Sequence, residues 1–134
     1  MSKITIITIV SMFFLQLFAF QIVAQELHTS SKKAAKHYED SKDYFRSNNL
    51  VKAAELLEKA IELDPDFIEA HFALGNAYKL LTKDKPEVLE KYEFHYRKCL
   101  ELAPNDRKMA SIYFEIAQLD FQKGDYKAAK AKFT

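Results

Sequence analysis

Two residues open the search for chemistry. His95 and Cys99 stand one helical turn apart in "KYEFHYRKCLELAP", a spacing at which an imidazole and a thiolate can share one metal ion. Such an ion needs further ligands, and Cys99 is the single cysteine, so neither a cysteine-based cluster nor an internal disulfide can form. His28 is expected to have no partner, and His37 and His71 occupy equivalent places in two helical segments, where ring packing accounts for both. Glu55 and Glu58 could form an acid–base couple. They lie on a helix whose other face is apolar, so they are expected to be solvated and paired with Lys52 and Lys59. No serine sits in a nucleophile turn, and two glycines in the whole chain cannot build a phosphate-cradling loop. The expectation is a protein that is not an enzyme, with no catalytic residue, metal or cofactor and no small-molecule substrate.

The elements that carry these residues are helical. The 134 residues suffice for one small domain, and their charge of +1, with acidic and basic side chains interleaved, gives no footprint for nucleic acid. No stretch alternates apolar and polar residues in the manner of a strand.

The chain repeats itself. His37, Ser41 and Tyr44 recur 34 residues later as His71, Gly75 and Tyr78. Leu57, Ala60 and Pro65 recur 39 residues later as Tyr96, Cys99 and Pro104, so that "AIELDP" and "CLELAP" are near copies. A third copy opens at "YFEIAQLDFQKGDYKAAKAKF", where Tyr113, Ile116 and Ala117 stand for His71, Leu74 and Gly75, and Ala129 and Phe133 for Ala53 and Leu57. Gly75, Ala117, Ala53, Ala60, Cys99 and Ala129 are small where two helices must approach. Leu56, Leu57, Ile61 and Leu63 are expected to fill the space between them. Pro65 and Pro104 end the second helix of a hairpin, with Asp64 and Asn105–Asp106 supplying turn and capping oxygens.

An aromatic, then Leu-Gly, then Tyr, then small and large apolar residues and a closing proline: this order resembles the tetratricopeptide repeat family. The resemblance implies an all-α solenoid of helical hairpins in a right-handed superhelical stack. Repeats fall at about 34–67, 68–106 and 110–134, the last of them truncated, within a domain covering 34–134. It further implies a concave groove, lined by the first helix of each hairpin, that binds a peptide or a partner protein. Helical spacing points Tyr38, Lys42, Phe45 and Arg46 into that groove from the first repeat, Phe72, Asn76 and Lys79 from the second, and Phe114 and Gln118 from the third. Glu39, Glu69, Ala73, Glu115 and Phe121 flank them. Some members of the family grip a terminal carboxylate with Lys, Asn and Arg; here Ala73, Ser111 and Glu115 stand at the places those donors would need.

Departures from the pattern carry expectations of their own. Asp40 takes an apolar position on a face that no earlier repeat covers. Asp120 takes the tyrosine position of the third repeat, so that Phe121 is expected to turn towards the core instead. Lys83 to Pro86 read as an exposed loop with Pro86 opening the next helix, and Arg107 to Met109 as an extension of the third repeat's first helix. The short third repeat suggests the N-terminal part of a longer protein.

The N-terminus addresses location. Lys3 precedes the apolar stretch "ITIITIVSMFFLQLFAF", and a small residue follows at Ala24, the order of a secretory signal peptide over 1–24 with a short linker over 25–33. The alternative is an uncleaved anchor over 4–24, which alone would bring membrane contact. Exported repeats behind such a signal resemble the N-terminal modules of envelope proteins in the Bacteroidota. The function expected is therefore a periplasmic or cell-envelope interaction scaffold with a protein or peptide partner and no nucleic acid. The alternative is a non-catalytic accessory module of a longer protein whose wall-binding or enzymatic activity lies beyond residue 134. Mass spectrometry of protein from the native host should find Gln25 at the mature N-terminus; an intact Met1–Ala24 segment in membranes would identify the anchor instead.

Overall fold

A computed structural model describes residues 27–124. The expected signal segment and the second helix of the third repeat, with Tyr126, Ala129 and Phe133, lie outside the described residues. Among the described residues five α-helices follow one another: α1 (Lys32–Arg46), α2 (Leu50–Leu63), α3 (Ile68–Leu81), α4 (Leu89–Leu102) and α5 (Ala110–Gln122). No strand occurs among the described residues, and no helix among them is long and apolar enough to cross a membrane. Helix α1 packs along α2 and α3 along α4; α2 then packs on α3, and α4 on α5, which joins the hairpins into a stack.

Local sequence sets the turns. The Ser31 hydroxyl caps α1 by accepting from Ala34 N at 3.2 Å. Helix α1 therefore starts at Lys32, two residues before the expected boundary. Asn48 takes a left-handed conformation (φ 57°), which asparagine tolerates, and Asn49 next to it caps α2 at Lys52 N. Pro65 and Pro104 lie in the joints between hairpins. Pro86 and Arg107 each open a 3₁₀ turn, Pro86–Val88 and Arg107–Met109, that runs directly into the next helix.

The small residues sit where close approach demands them. Ala53, Ala60 and Cys99 have no exposed surface, and Leu57 and Leu74 are as completely enclosed. Each such leucine contributes roughly 1.5–3 kcal/mol relative to an exposed one. Phe67 has no exposed surface either; its ring centroid lies 5.3 Å from that of Tyr38, joining the connection between hairpins to α1. Leu63, expected in the core, is exposed: it ends the last turn of α2, beyond the reach of the neighbouring helix.

Asp120 keeps the tyrosine position of its repeat and is buried, while Phe121 stays largely exposed. The expected rotation of Phe121 into the core does not occur. The reason lies on the preceding helix. Arg97 Nη2 donates to Asp120 Oδ1 at 2.5 Å and to Glu93 Oε1 at 2.8 Å, and Lys123 pairs with the other Glu93 oxygen. The cation neutralises the buried carboxylate and leaves the register intact, although Asp120 Oδ2 has no hydrogen-bond partner.

At Gly75 the backbone of α3 meets the ring of Tyr96 on α4. A Cβ added there would lie 2.6 Å from Cε1 and closer still to Cδ1. Gly75→Ala should therefore destabilise the protein by about 1–3 kcal/mol, since the ring is itself buried and cannot swing aside freely. Lys85→Ala, on the exposed loop, should cost less than about 0.5 kcal/mol. Chemical denaturation followed by circular dichroism measures both; equal effects would refute the packing described.

Candidate functional site

The candidate site lies between the first helices of the first two hairpins. Helix α1 supplies Tyr38, Lys42, Phe45 and Arg46. Helix α3 supplies Phe72, Ala73, Asn76, Lys79 and Leu80. Together they line an open groove of about 610 Å³. The seven residues expected from these two helices converge there. Leu80 was missed, because helical spacing places it at the edge of the stripe. Phe114 and Gln118 do not join them: with Ala117, Phe121 and Gln122 they line a separate depression on α5.

The floor is organised by Tyr96. Its ring stacks on that of Phe72 at 6.1 Å, and its hydroxyl donates to Asn76 Oδ1 at 2.6 Å. The Asn76 carboxamide is thereby fixed in orientation, with its oxygen towards the Tyr96 hydroxyl. Burial pushes the Tyr96 phenol up to about 12, which keeps it a hydrogen-bond donor at any physiological pH. On the walls, Lys42 lies 4.7 Å from the centre of the Tyr38 ring and 2.8 Å from Glu39. Arg46 pairs with Asp43 at 2.5 Å, and Lys79 reaches across to Glu115 on α5, which also accepts from Tyr92 Oη at 3.1 Å.

Beyond Phe72 the groove runs into a smaller cavity of about 180 Å³. Its apolar lining is Ile68, Phe72, Ala103 and Met109, and its polar lining is His28, Glu69, Asp106 and Lys108. His28, expected to have no partner, reaches it from the expected short linker and finds one in Glu69. Its backbone N and ring Nδ1 both contact the Glu69 carboxylate, the latter at 2.7 Å, while Leu27 packs on the core.

The residues first considered for metal chemistry do other work. His71 Nε2 lies 2.8 Å from Pro65 O, and His71 Nδ1 lies 3.0 Å from His95 Nδ1. A carbonyl only accepts, so His71 carries its proton on Nε2, and with both rings neutral His95 Nδ1–H donates to His71 Nδ1. Two charged rings would set N–H against N–H, so the contact excludes a doubly protonated pair. Cys99 Sγ turns away to Ile68 O at 3.7 Å, and burial pushes its thiol up to about 12, far from a thiolate ligand. Among the described residues no three His, Cys, Asp or Glu side chains are grouped to hold a metal ion. Glu55 pairs with Lys52 at 2.6 Å as expected. Glu58 instead accepts from the hydroxyl of Tyr78, because the tyrosine of the next hairpin reaches it across α2.

Comparison with known proteins agrees with this architecture. A family model described as TPR repeat matches residues 42–81. That segment is a tetratricopeptide repeat, and the stack around it has the tetratricopeptide fold. A search of curated protein sequences finds no match. Among solved structures, a monomeric mutant of IFIT1 with m7Gppp-AAAA, the cap in its anti conformation, superposes with a TM-score of 0.60 at 22% identity. The similarity covers 78% of this chain and 26% of that one, so the present chain spans about a quarter of its length. Tetratricopeptide repeats generally mediate protein–protein interaction, and folds of this type are typically non-catalytic scaffolds.

The buried histidine pair has a measurable consequence. Burial lowers the proton affinity of both rings, that of His95 to about 4 with help from His71 and Lys91, against an ordinary value of 6.5. The unfolded chain thus takes up protons first as pH falls, and stability is lost on acidification through the ordinary histidine range. The denaturation midpoint should fall between about pH 6.5 and 5, above the range in which carboxylates titrate. His95→Gln, which can still donate to His71, should flatten that part of the profile. A profile unchanged by the substitution would show that the pair does not carry the effect.

Proposed function

We propose that this chain is an interaction scaffold that holds an extended peptide, or a segment of a partner protein, in the groove between α1 and α3. One observation carries the reading. Two helices from different hairpins direct aromatic rings, cations and a fixed carboxamide into one open channel, and Phe72 remains 37% exposed at its centre although it is a large apolar residue. An exported, cell-envelope location is part of the proposal; it is supported by the basic, apolar and small residues in order over 1–24. The nucleic-acid ligand of the IFIT1 structure is not carried over, because a likeness at 22% identity shows the fold alone.

The test is a pull-down from an extract of the native host with the wild type and the pair Phe72→Ala and Lys42→Ala. A central aromatic contact carries a large share of the binding free energy, whereas an exposed lysine acts mainly on encounter and salt dependence. Partner recovery should fall at least about tenfold with the double variant. It should stay unchanged with Lys59→Ala on the exposed face of α2, with circular dichroism showing every variant helical. Retention of every partner by the double variant would move the binding surface elsewhere.

A further inference from the structure

The groove is not uniform along its length, and its polarity says what chemistry fits it. At the N-terminal end of α3 lies the 180 Å³ cavity floored by Ile68, Phe72, Ala103 and Met109. A dry apolar cavity of about 150 Å³ accepts a benzene ring, so this one can take a leucine or phenylalanine side chain. The carboxylates beside it are already engaged, Glu69 by His28 and Asp106 by the backbone N of Lys108 at 2.8 Å. At the other end, Lys42, Arg46 and Lys79 line the groove, and none of its lining residues there is acidic. Arg46 and Lys79 lie in the last turns of their helices, where cations offset the negative end of the helix dipole. The partners of Lys42 and Arg46 on α1, Glu39 and Asp43, form exposed pairs three residues away on the same helix. Such pairs are weak enough to exchange for a ligand carboxylate.

Resting on the reading of this groove as the binding surface, we infer that its ligand is an extended peptide segment with one large apolar side chain and, three to five residues from it, one or more carboxylate side chains. The apolar side chain seats in the cavity beside Phe72, and the carboxylates reach Lys42 and Arg46 at the end of the groove that Lys79 also lines. The spacing follows from the helix. Phe72 and Lys79 are about 10 Å apart along α3 and Ile68 and Lys79 about 16 Å, at roughly 1.5 Å per residue. An extended chain covers those lengths in about three to five residues, at roughly 3.4 Å each. The cavity and the cations at the other end of the groove lie those lengths apart, so a segment with both features adjacent cannot reach both at once.

The experiment is fluorescence anisotropy of the full chain with labelled ten-residue peptides that carry Leu and two Glu four residues further on, in both chain directions. Control peptides replace Glu by Lys, replace Leu by Ser, or set Leu and Glu next to one another. Binding of the parent peptide should exceed that of the Lys version at least about tenfold at low salt, and the gap should narrow at high salt. The Ser and adjacent versions should also bind at least about tenfold more weakly. The protein variant Lys42→Gln/Arg46→Gln should abolish the preference for Glu over Lys and keep that for Leu. Filling the cavity with Ala103→Leu should do the reverse. Because the peptide controls use the unaltered protein, the inference stands or falls even if Ala103→Leu does not fold. Equal binding of the Glu and Lys peptides, with the binding lost in Phe72→Ala, would overturn the inference while leaving the groove reading intact. Absence of any Phe72-dependent binding would overturn it too, and the pull-down then decides the groove reading separately.

Discussion

The contact between the Gly75 backbone and the Tyr96 ring governs both the packing and the surface. Only a residue without a side chain lets α4 bring an aromatic ring against the backbone of α3, and that approach delivers the ring to the underside of the groove. There it does two further things. It supports Phe72 from below, and it fixes the Asn76 carboxamide through its hydroxyl. Fold and site thus share one interaction. The groove residues of α3 sit on a rigid, fully packed floor, which is the arrangement that keeps the entropic cost of ordering a binding surface low.

Around this contact, buried tyrosines tie the helices by their hydroxyls: Tyr78 to Glu58, Tyr92 to Glu115, Tyr96 to Asn76. Each bond crosses between helices and satisfies a group that would be costly to bury alone. The third repeat departs from this scheme by placing Asp120 in the tyrosine slot. A carboxylate cannot fill the volume of a phenol, but with Arg97 beside it the position keeps its polar function and its register. The charged group sits at the junction between the second and third hairpins, where the packing of α4 on α5 is sparser than within a hairpin. Charge and hydrogen bonding there act more as a specification of register than as a source of stability.

Much of this was legible in the sequence, for a definite reason. The repeat imposes small residues at fixed places, so Gly75, Ala53, Ala60 and Cys99 announced the close approaches, and Pro65 and Pro104 the joints. Helical spacing alone then aimed Tyr38, Lys42, Phe45 and Arg46 from one helix and Phe72, Asn76 and Lys79 from the next, because neighbouring first helices share a face. What escaped was whatever depends on a partner remote in sequence. Phe67 is buried because Tyr38 lies over it, Glu58 leaves Lys59 for Tyr78, and Phe121 stays outside because Arg97 on another helix stabilises Asp120. Phe114 and Gln118 obey the same helical spacing but belong to another depression, since spacing along one helix gives a direction and not the path of the solenoid. The attachment of His28 to Glu69 had no pattern to announce it: a single histidine ahead of the first helix has no periodicity.

The division of labour between helix faces explains how the fold can persist while its ligands change. Packing restricts the residues that face a neighbouring helix, and the fold is kept at 22% identity to the IFIT1 chain. The outward face of each first helix bears less restriction: Lys42 and Arg46 pair only with exposed carboxylates of their own helix and could be replaced by almost any polar residue. Residues that the fold leaves free are the ones that binding can select. Thirty-nine solved chains match this architecture, so the architecture by itself carries almost no information about the partner. That information resides in the few side chains which the stack holds in place but does not need, with Phe72 at their centre: exposed where packing would bury a ring of its size, and supported from beneath by the one contact on which the hairpin depends.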